Sequence, residues 1–150
     1  MTKLERTKYK VCTKYGEFEI YKEEEPVSNM ESRGYLYILK NEREVSALTY
    51  AISQLTNLAT LESIATIDDC EGNGYGSALL YALTLECKKK NVTSIFGSFS
   101  PSRDVEKTRR FYQNNGYEVY DDDKNRHRLR AYVPKLYMVQ SQMPSQIGAE

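Results

Sequence analysis

No stretch of the 150-residue sequence reaches the roughly 18 consecutive apolar residues that a membrane span needs. The first residues, MTKLERTKYK, lack the apolar core of a secretory signal peptide. Histidine occurs once, as His127, and cysteine three times, at positions 12, 70 and 87, with no Cys-x-x-Cys pair. That scatter points to reduced thiols in a cytoplasmic protein and to no metal site. Charge of one sign is also lacking, since 21 lysines and arginines face 21 aspartates and glutamates. No bulk field draws in nucleic acid or a membrane surface, and neither is expected as a partner. Single-sign runs at 23–25, 88–90 and 121–123 read as solvated turns or helix ends.

A chain of this length holds one core, so residues 1–139 are assigned to a single domain and 140–150 to a frayed tail. Residues 8–21 alternate apolar and polar around Tyr15-Gly16, a strand pair with a turn. The acidic stretch 23–34, with Pro26 and Gly34, reads as a loop or a short helix. Residues 35–40 and 44–52 are β-rich and joined by the polar link Asn-Glu-Arg, so they form a hairpin. A further strand covers 59–67. The period then changes from 2 to 3.6, with Leu79, Leu80, Leu83 and Cys87 on one face of a helix over 76–90. Strand 92–99, a helix within 100–116 stopped by Gly116, and strands 117–120 and 128–139 follow. This order specifies an α+β fold, a mixed sheet with helices packed on it. His127, in KNRHRLR, reads as a surface strand residue, and Lys124, Arg126, Arg128 and Arg130 as a solvated strand face.

Between strand and helix stands Gly72-Asn73-Gly74-Tyr75-Gly76-Ser77. The first amides of a helix have no intrahelical acceptor, and the helix dipole places partial positive charge there. Glycines leave those amides accessible and permit the backbone angles that aim them inward. The segment is therefore an anion cradle or a turn that tightens strand–helix packing. A P-loop requires Lys-Ser/Thr after the last glycine, where Ser77-Ala78 stands. A dinucleotide fingerprint requires G-x-G-x-x-G and an acid ending the next strand; the spacing here is G-x-G-x-G, and VTSIFGSFS contains no acid.

LESIATIDDCEGNGYGSALL (61–80) resembles the acyl-CoA-binding motif of the GNAT superfamily of N-acetyltransferases: a strand, a turn, Arg/Gln-x-x-Gly-x-Gly/Ala, then an apolar helix. RRFYQNNGYEVY (109–120) is similar to the family's second signature, in which Phe-Tyr closes a helix and Gly-aromatic opens a strand. The resemblance covers 59–120. It implies a GNAT-like fold, a mostly antiparallel sheet with a splayed parallel pair and flanking helices. The function it implies is direct transfer of an acetyl group from acetyl-CoA to a primary amine of a small molecule, peptide or protein. The alternative is an inactive GNAT-fold module that binds a partner or senses the coenzyme.

By the same resemblance, Gly72, Asn73, Gly74, Tyr75, Gly76 and Ser77 hold the coenzyme pyrophosphate, and the main chain of Ile64, Ala65 and Thr66 pairs with the pantetheine arm. Strands 59–67 and 92–99 splay, with Gly97 suited to the opening. Tyr112 is the implied general acid and Glu62 the general base, a carboxylate expected to be enclosed on a face shared with Thr60 and Ile64.

Three departures from the family pattern stand out. Glu71 stands where Arg or Gln is usual, and two like charges ~5 Å apart repel by about 3 kcal/mol at an effective dielectric near 20. Val105 and Thr108 replace the Asn and Ala that often precede Phe-Tyr. Residues 22–34 are too few for the helices that normally flank the acceptor, so that side is expected to be open or completed by a second subunit of a homodimer.

Overall fold

The structure, a computed structural model, describes residues 5–100 and 104–148, with side chains for 6–100 and 104–140. Strands β1 (Glu5–Thr13), β2 (Gly16–Pro26), β3 (Glu31–Lys40), β4 (Arg43–Ser53) and β5 (Leu58–Thr66) run as an antiparallel meander. Helix α1 (Tyr75–Lys89) crosses over to β6 (Ser94–Phe99), which pairs parallel with β5. Helix α2 (Val105–Asn114), β7 (Glu118–Asp121), β8 (His127–Tyr132) and α3 (Val133–Gly148) complete the chain. The sheet order is β1-β2-β3-β4-β5-β6-β8-β7. Among the described residues, no helix is long and apolar enough to cross a membrane.

Alternation builds the core. Ile20, Leu36, Leu48, Ala59 and Ile95 project from successive strands onto the helix-covered face, where Leu79, Leu80 and Leu83 of α1 meet them, all fully buried. Asn41 and Glu42, both at positive φ (53° and 63°), form the whole link between β3 and β4, one residue shorter than expected. Helix α2 starts on Asp104, whose Oδ1 accepts from the Lys107 amide at 2.9 Å. The opposite sheet face carries Tyr21, Tyr35 and Tyr37 in a stacked and tilted row, their hydroxyls donating to Glu19, Glu44 and Glu23.

Two sequence expectations are corrected. Residues 23–34 are not a loop: β2 runs to Pro26, β3 starts at Glu31, and 27–30 form a tight turn. The segment is charged because its inward positions carry ion pairs. Lys22 Nζ meets Glu86 Oε1 of α1 at 2.9 Å, with both side chains buried, and Glu24 pairs with Lys90. The run 23–25 is thus not simply a solvated turn.

The strand expected over 128–139 ends at Tyr132, and α3 begins at Val133 with Pro134 in its first turn. Val133, Leu136 and Gln140 occupy one helical face and are buried. Gln140 accepts from Thr84 Oγ1 at 2.8 Å and donates to the Asn115 carbonyl at 3.1 Å, so the segment expected to fray from residue 140 begins as a docked helix. The helix continues to Gly148, and 149–150 lie outside the described residues.

Gly34 lies opposite Tyr50, and a Cβ there would sit 2.1 Å from the ring. Tyr50 cannot swing away, since it is fully buried and its hydroxyl donates to Glu24 Oε2 at 3.0 Å. Gly34→Ala is expected to cost about 1–3 kcal/mol in urea denaturation; an unchanged midpoint contradicts this packing.

Candidate functional site

The chain leaves β5 through a single 3-10 turn, Asp68–Cys70, and reaches Gly72 (φ 85°) and Gly74 (φ 83°), both left-handed. Gly74 is the N-cap of α1 and has no side chain to cap it; the Ala78 amide, bonded to Gly74 O at 3.0 Å, starts the helical ladder. The amides of Tyr75, Gly76 and Ser77 therefore face outward at the positive end of the dipole.

The walls explain why glycine is needed. A Cβ on Gly74 would lie 2.4 Å from Tyr15 Cβ in the β1–β2 turn, and one on Gly76 would lie 2.9 Å from Phe111 Cζ of α2. Asn73 Nδ2 closes the loop on Cys70 O at 2.9 Å, and Asn115 Nδ2 donates to Ser77 Oγ at 3.2 Å. The cradle is thus gripped by the first hairpin and by α2.

Beside it, β5 and β6 separate. Their ladder runs from Leu58↔Ser94 to Leu61↔Gly97 and stops. A Cβ on Gly97 would approach Leu61 O to 2.9 Å, so glycine permits the last close pair. Beyond it, Ile64, Ala65 and Thr66 pair with β4 on one edge, while their other edge faces the gap between the diverging strands. A cleft of about 410 Å³ opens over the end of the β5–β6 ladder, lined by Thr60, Glu62, Phe96, Ser98, Tyr120 and Arg128 among others.

Glu62 is placed differently from the sequence expectation. The register steps from Tyr50↔Leu61 to Thr49↔Ser63, so Glu62 is the extra residue of a β-bulge. Alternation breaks there: Leu61 is buried below, Glu62 and Ser63 are both exposed, and Ile64 turns to the other face. Rather than being enclosed, Glu62 is exposed and held by Arg33 Nη2, at 3.2 and 3.1 Å from its two oxygens.

Tyr112 lies on the helix-covered face, 5% exposed, its ring stacked on Phe99 at 5.5 Å and edge-on to Tyr117 at 5.9 Å. Burial pushes its phenol up to about 12. Glu71 projects from the loop before the cradle, where Lys107 Nζ of α2 meets its Oε1 at 3.5 Å. His127 is not a plain surface residue: its ring stacks on Phe99 at 5.1 Å, and Nδ1 lies 2.8 Å from Asp121 Oδ1. Arg128 and Arg130 are paired with Asp122 and Glu118, so the strand is not an unpartnered basic face, and the run 121–123 supplies ion-pair partners. The three cysteines are free thiols.

Sequence reasoning missed Arg33, Lys107 and Arg128. None stands near Glu62, Glu71 or the splay in sequence, and only strand pairing and helix docking bring them there.

Residues 31–119 match the sequence profile described as the acetyltransferase (GNAT) domain. The chain belongs to the GNAT acetyltransferase family. The GNAT match takes in β3 through the first half of β7; β1, β2, β8 and α3 lie outside it. Solved GNAT structures share the fold. One is the PaiA N-acetyltransferase from Thermoplasma acidophilum in complex with coenzyme A, at 18% identity and TM-score 0.57, covering 65% of this chain and 59% of that one. This chain thus spans less than two thirds of that relative. An acetyltransferase from Bacillus cereus gives 19% and 0.57, covering 68% and 74%. The ribosomal-protein-S18-alanine N-acetyltransferase from Escherichia coli gives 19% and 0.53, covering 71% of each chain. No curated protein matches by sequence.

Proposed function

We propose that this GNAT protein is an acetyl-CoA-dependent N-acetyltransferase that moves an acetyl group directly to a primary amine. The observation that carries the reading is continuity. Along the chain, the cleft-lining residues Thr60–Glu62, the edge of Ile64–Thr66 left unpaired beyond the β5–β6 ladder, and the outward amides of Tyr75–Ser77 at the start of α1 follow one another. A diphosphate suits the first, a pantetheine amide chain the second, and a thioester the third.

Acetyl-CoA supplies an activated acyl group on a thiol leaving group. The residues of this chain do the rest. Gly72 to Ser77 bind through main-chain N–H groups. Glu62, on the cleft wall, takes a proton from the acceptor ammonium through water, since a protonated amine has no lone pair for attack. The C–N bond forms as the C–S bond breaks, and Tyr112 gives its phenolic proton to the departing thiolate. A phenol raised by burial stays protonated at neutral pH, as a donor must.

The second reading, a coenzyme-binding module without turnover, draws on one observation: both oxygens of Glu62 are engaged by Arg33. Thiol release from acetyl-CoA over a panel of amines tests the pair. Release with any primary amine supports the enzyme; coenzyme binding without release across the panel supports the module.

Glu71 no longer opposes the assignment, because Lys107 offsets its charge. Both side chains are substantially exposed, so the pair contributes little stability, but the ammonium offsets the negative charge at the cradle rim. Lys107→Ala is expected to weaken coenzyme A binding about threefold to tenfold, and adding Glu71→Gln to restore it. Calorimetric titration checks both; unchanged affinity in Lys107→Ala contradicts the compensation.

A further inference from the structure

Two opposite charges line the β5–β6 cleft, and they do not pair with each other among the described residues. Glu62 stands on the β5 wall, held by Arg33 from β3. Arg128 stands on the far wall, opposite Ser98 of β6 and Tyr120 of β7 in the ladder. Its Nε donates to Asp122 Oδ2 at 3.0 Å, while its terminal nitrogens meet no acceptor among the described residues.

Asp122 is a firm anchor. It also accepts from Arg126 Nε at 3.0 Å and from the amides of Lys124 and Arg126 at 2.9 Å each. The guanidinium is therefore fixed by one edge, and its outer fork is left for a planar anion. Phe96, 42% exposed, lies between the two charged walls and offers an apolar floor.

We propose that the acceptor is a small zwitterion, a free amino acid, whose amine lies at Glu62 and whose carboxylate is bound by Arg128. The inference rests on the acetyltransferase reading above. A simple amine would bring a second cation to Arg128, and a simple acid would meet the Glu62 carboxylate. Only a ligand carrying both charges complements both walls. Acetylation removes the ammonium charge, so the product keeps its hold on Arg128 and loses the one on Glu62, which favours release.

The test is a titration of the isotope-labelled full chain, followed by amide NMR, with each free L-amino acid and its matched carboxamide. It is run with and without coenzyme A. At least one amino acid is expected to shift the Phe96, Ser98 and Arg128 amides saturably, with its carboxamide bound about 30-fold or more weakly. Arg128→Gln is expected to erase that difference while coenzyme A affinity stays within about twofold. Arg128→Lys, which keeps the charge but not the fork, is expected to fall between the two and guards against a folding defect in the first variant.

Carboxamides binding as well as acids, or Arg128→Gln retaining the preference, overturns the proposal. So does the absence of any cleft shift at about 10 mM amino acid, ten times the upper end of usual KM values. The Gly72–Ser77 amides report coenzyme A in the same samples. Their silence defeats the acetyltransferase reading, while the cleft amides still decide this one.

Discussion

Tyr112→Phe is expected to lower kcat for acetyl transfer by about 100-fold and to leave the coenzyme A dissociation constant within about twofold. The substitution removes one oxygen and keeps the ring that stacks on Phe99 and abuts Phe111 and Tyr117, so the helix end and cradle wall stay in place. On the proposed mechanism, what is lost is the proton that the departing thiolate needs. Because burial holds the phenol at about 12, wild-type activity does not fall through loss of this proton below about pH 11. Steady-state kinetics and calorimetric titration on one preparation separate the roles. Equal losses in turnover and affinity make Tyr112 a packing residue.

Glu86→Ala is expected to lower stability by about 3–5 kcal/mol, the largest single effect we anticipate away from the site. Burial by itself pushes the Lys22 ammonium down, but the hydrogen bond and charge of Glu86, with the charge of Glu24, more than reverse this and hold it above its ordinary value. Removing Glu86 leaves a buried cation paired across the ladder with Leu36, with Glu24 already engaged by Lys90 and Tyr50. The double variant Lys22→Met/Glu86→Leu removes both charges and is expected to recover to within about 1 kcal/mol of wild type or to exceed it. Urea denaturation measures all three chains. A mild single variant, or a double variant no better than the single, contradicts the ion-pair account.

The glycine turn before α1 was legible because its geometry is local. Gly74 and Gly76, followed by Leu79 and Leu80, declare a strand–turn–helix with open amides whatever lies around them. The Phe111-Tyr112 signature and the strand at Gly97 were readable for the same reason. Long-range placements were not. Glu62 lies in a bulge that depends on its register against Thr49 and Tyr50, so counting alternate residues put Ile64 on the wrong face.

Glu24 looked like a loop residue because an inward charge cannot be told from a solvated one until its partner Lys90, at the end of α1, is known. Val133 to Val139 has the composition of a strand, and only docking of Leu136 and Gln140 against α1 makes it a helix. The missing acceptor helices were half anticipated. Residues 22–34 left room for only a short one, and a four-residue turn at 27–30 stands between β2 and β3.

The central claim is that the unpaired amides opening α1 bind the diphosphate of coenzyme A. The most direct measurement is the amide NMR spectrum of the full chain during titration with coenzyme A. The account predicts large saturable shifts at Gly74, Tyr75, Gly76 and Ser77, with smaller ones along Ile64 to Thr66. Saturable binding that leaves those amides unmoved contradicts it, and so does the absence of binding.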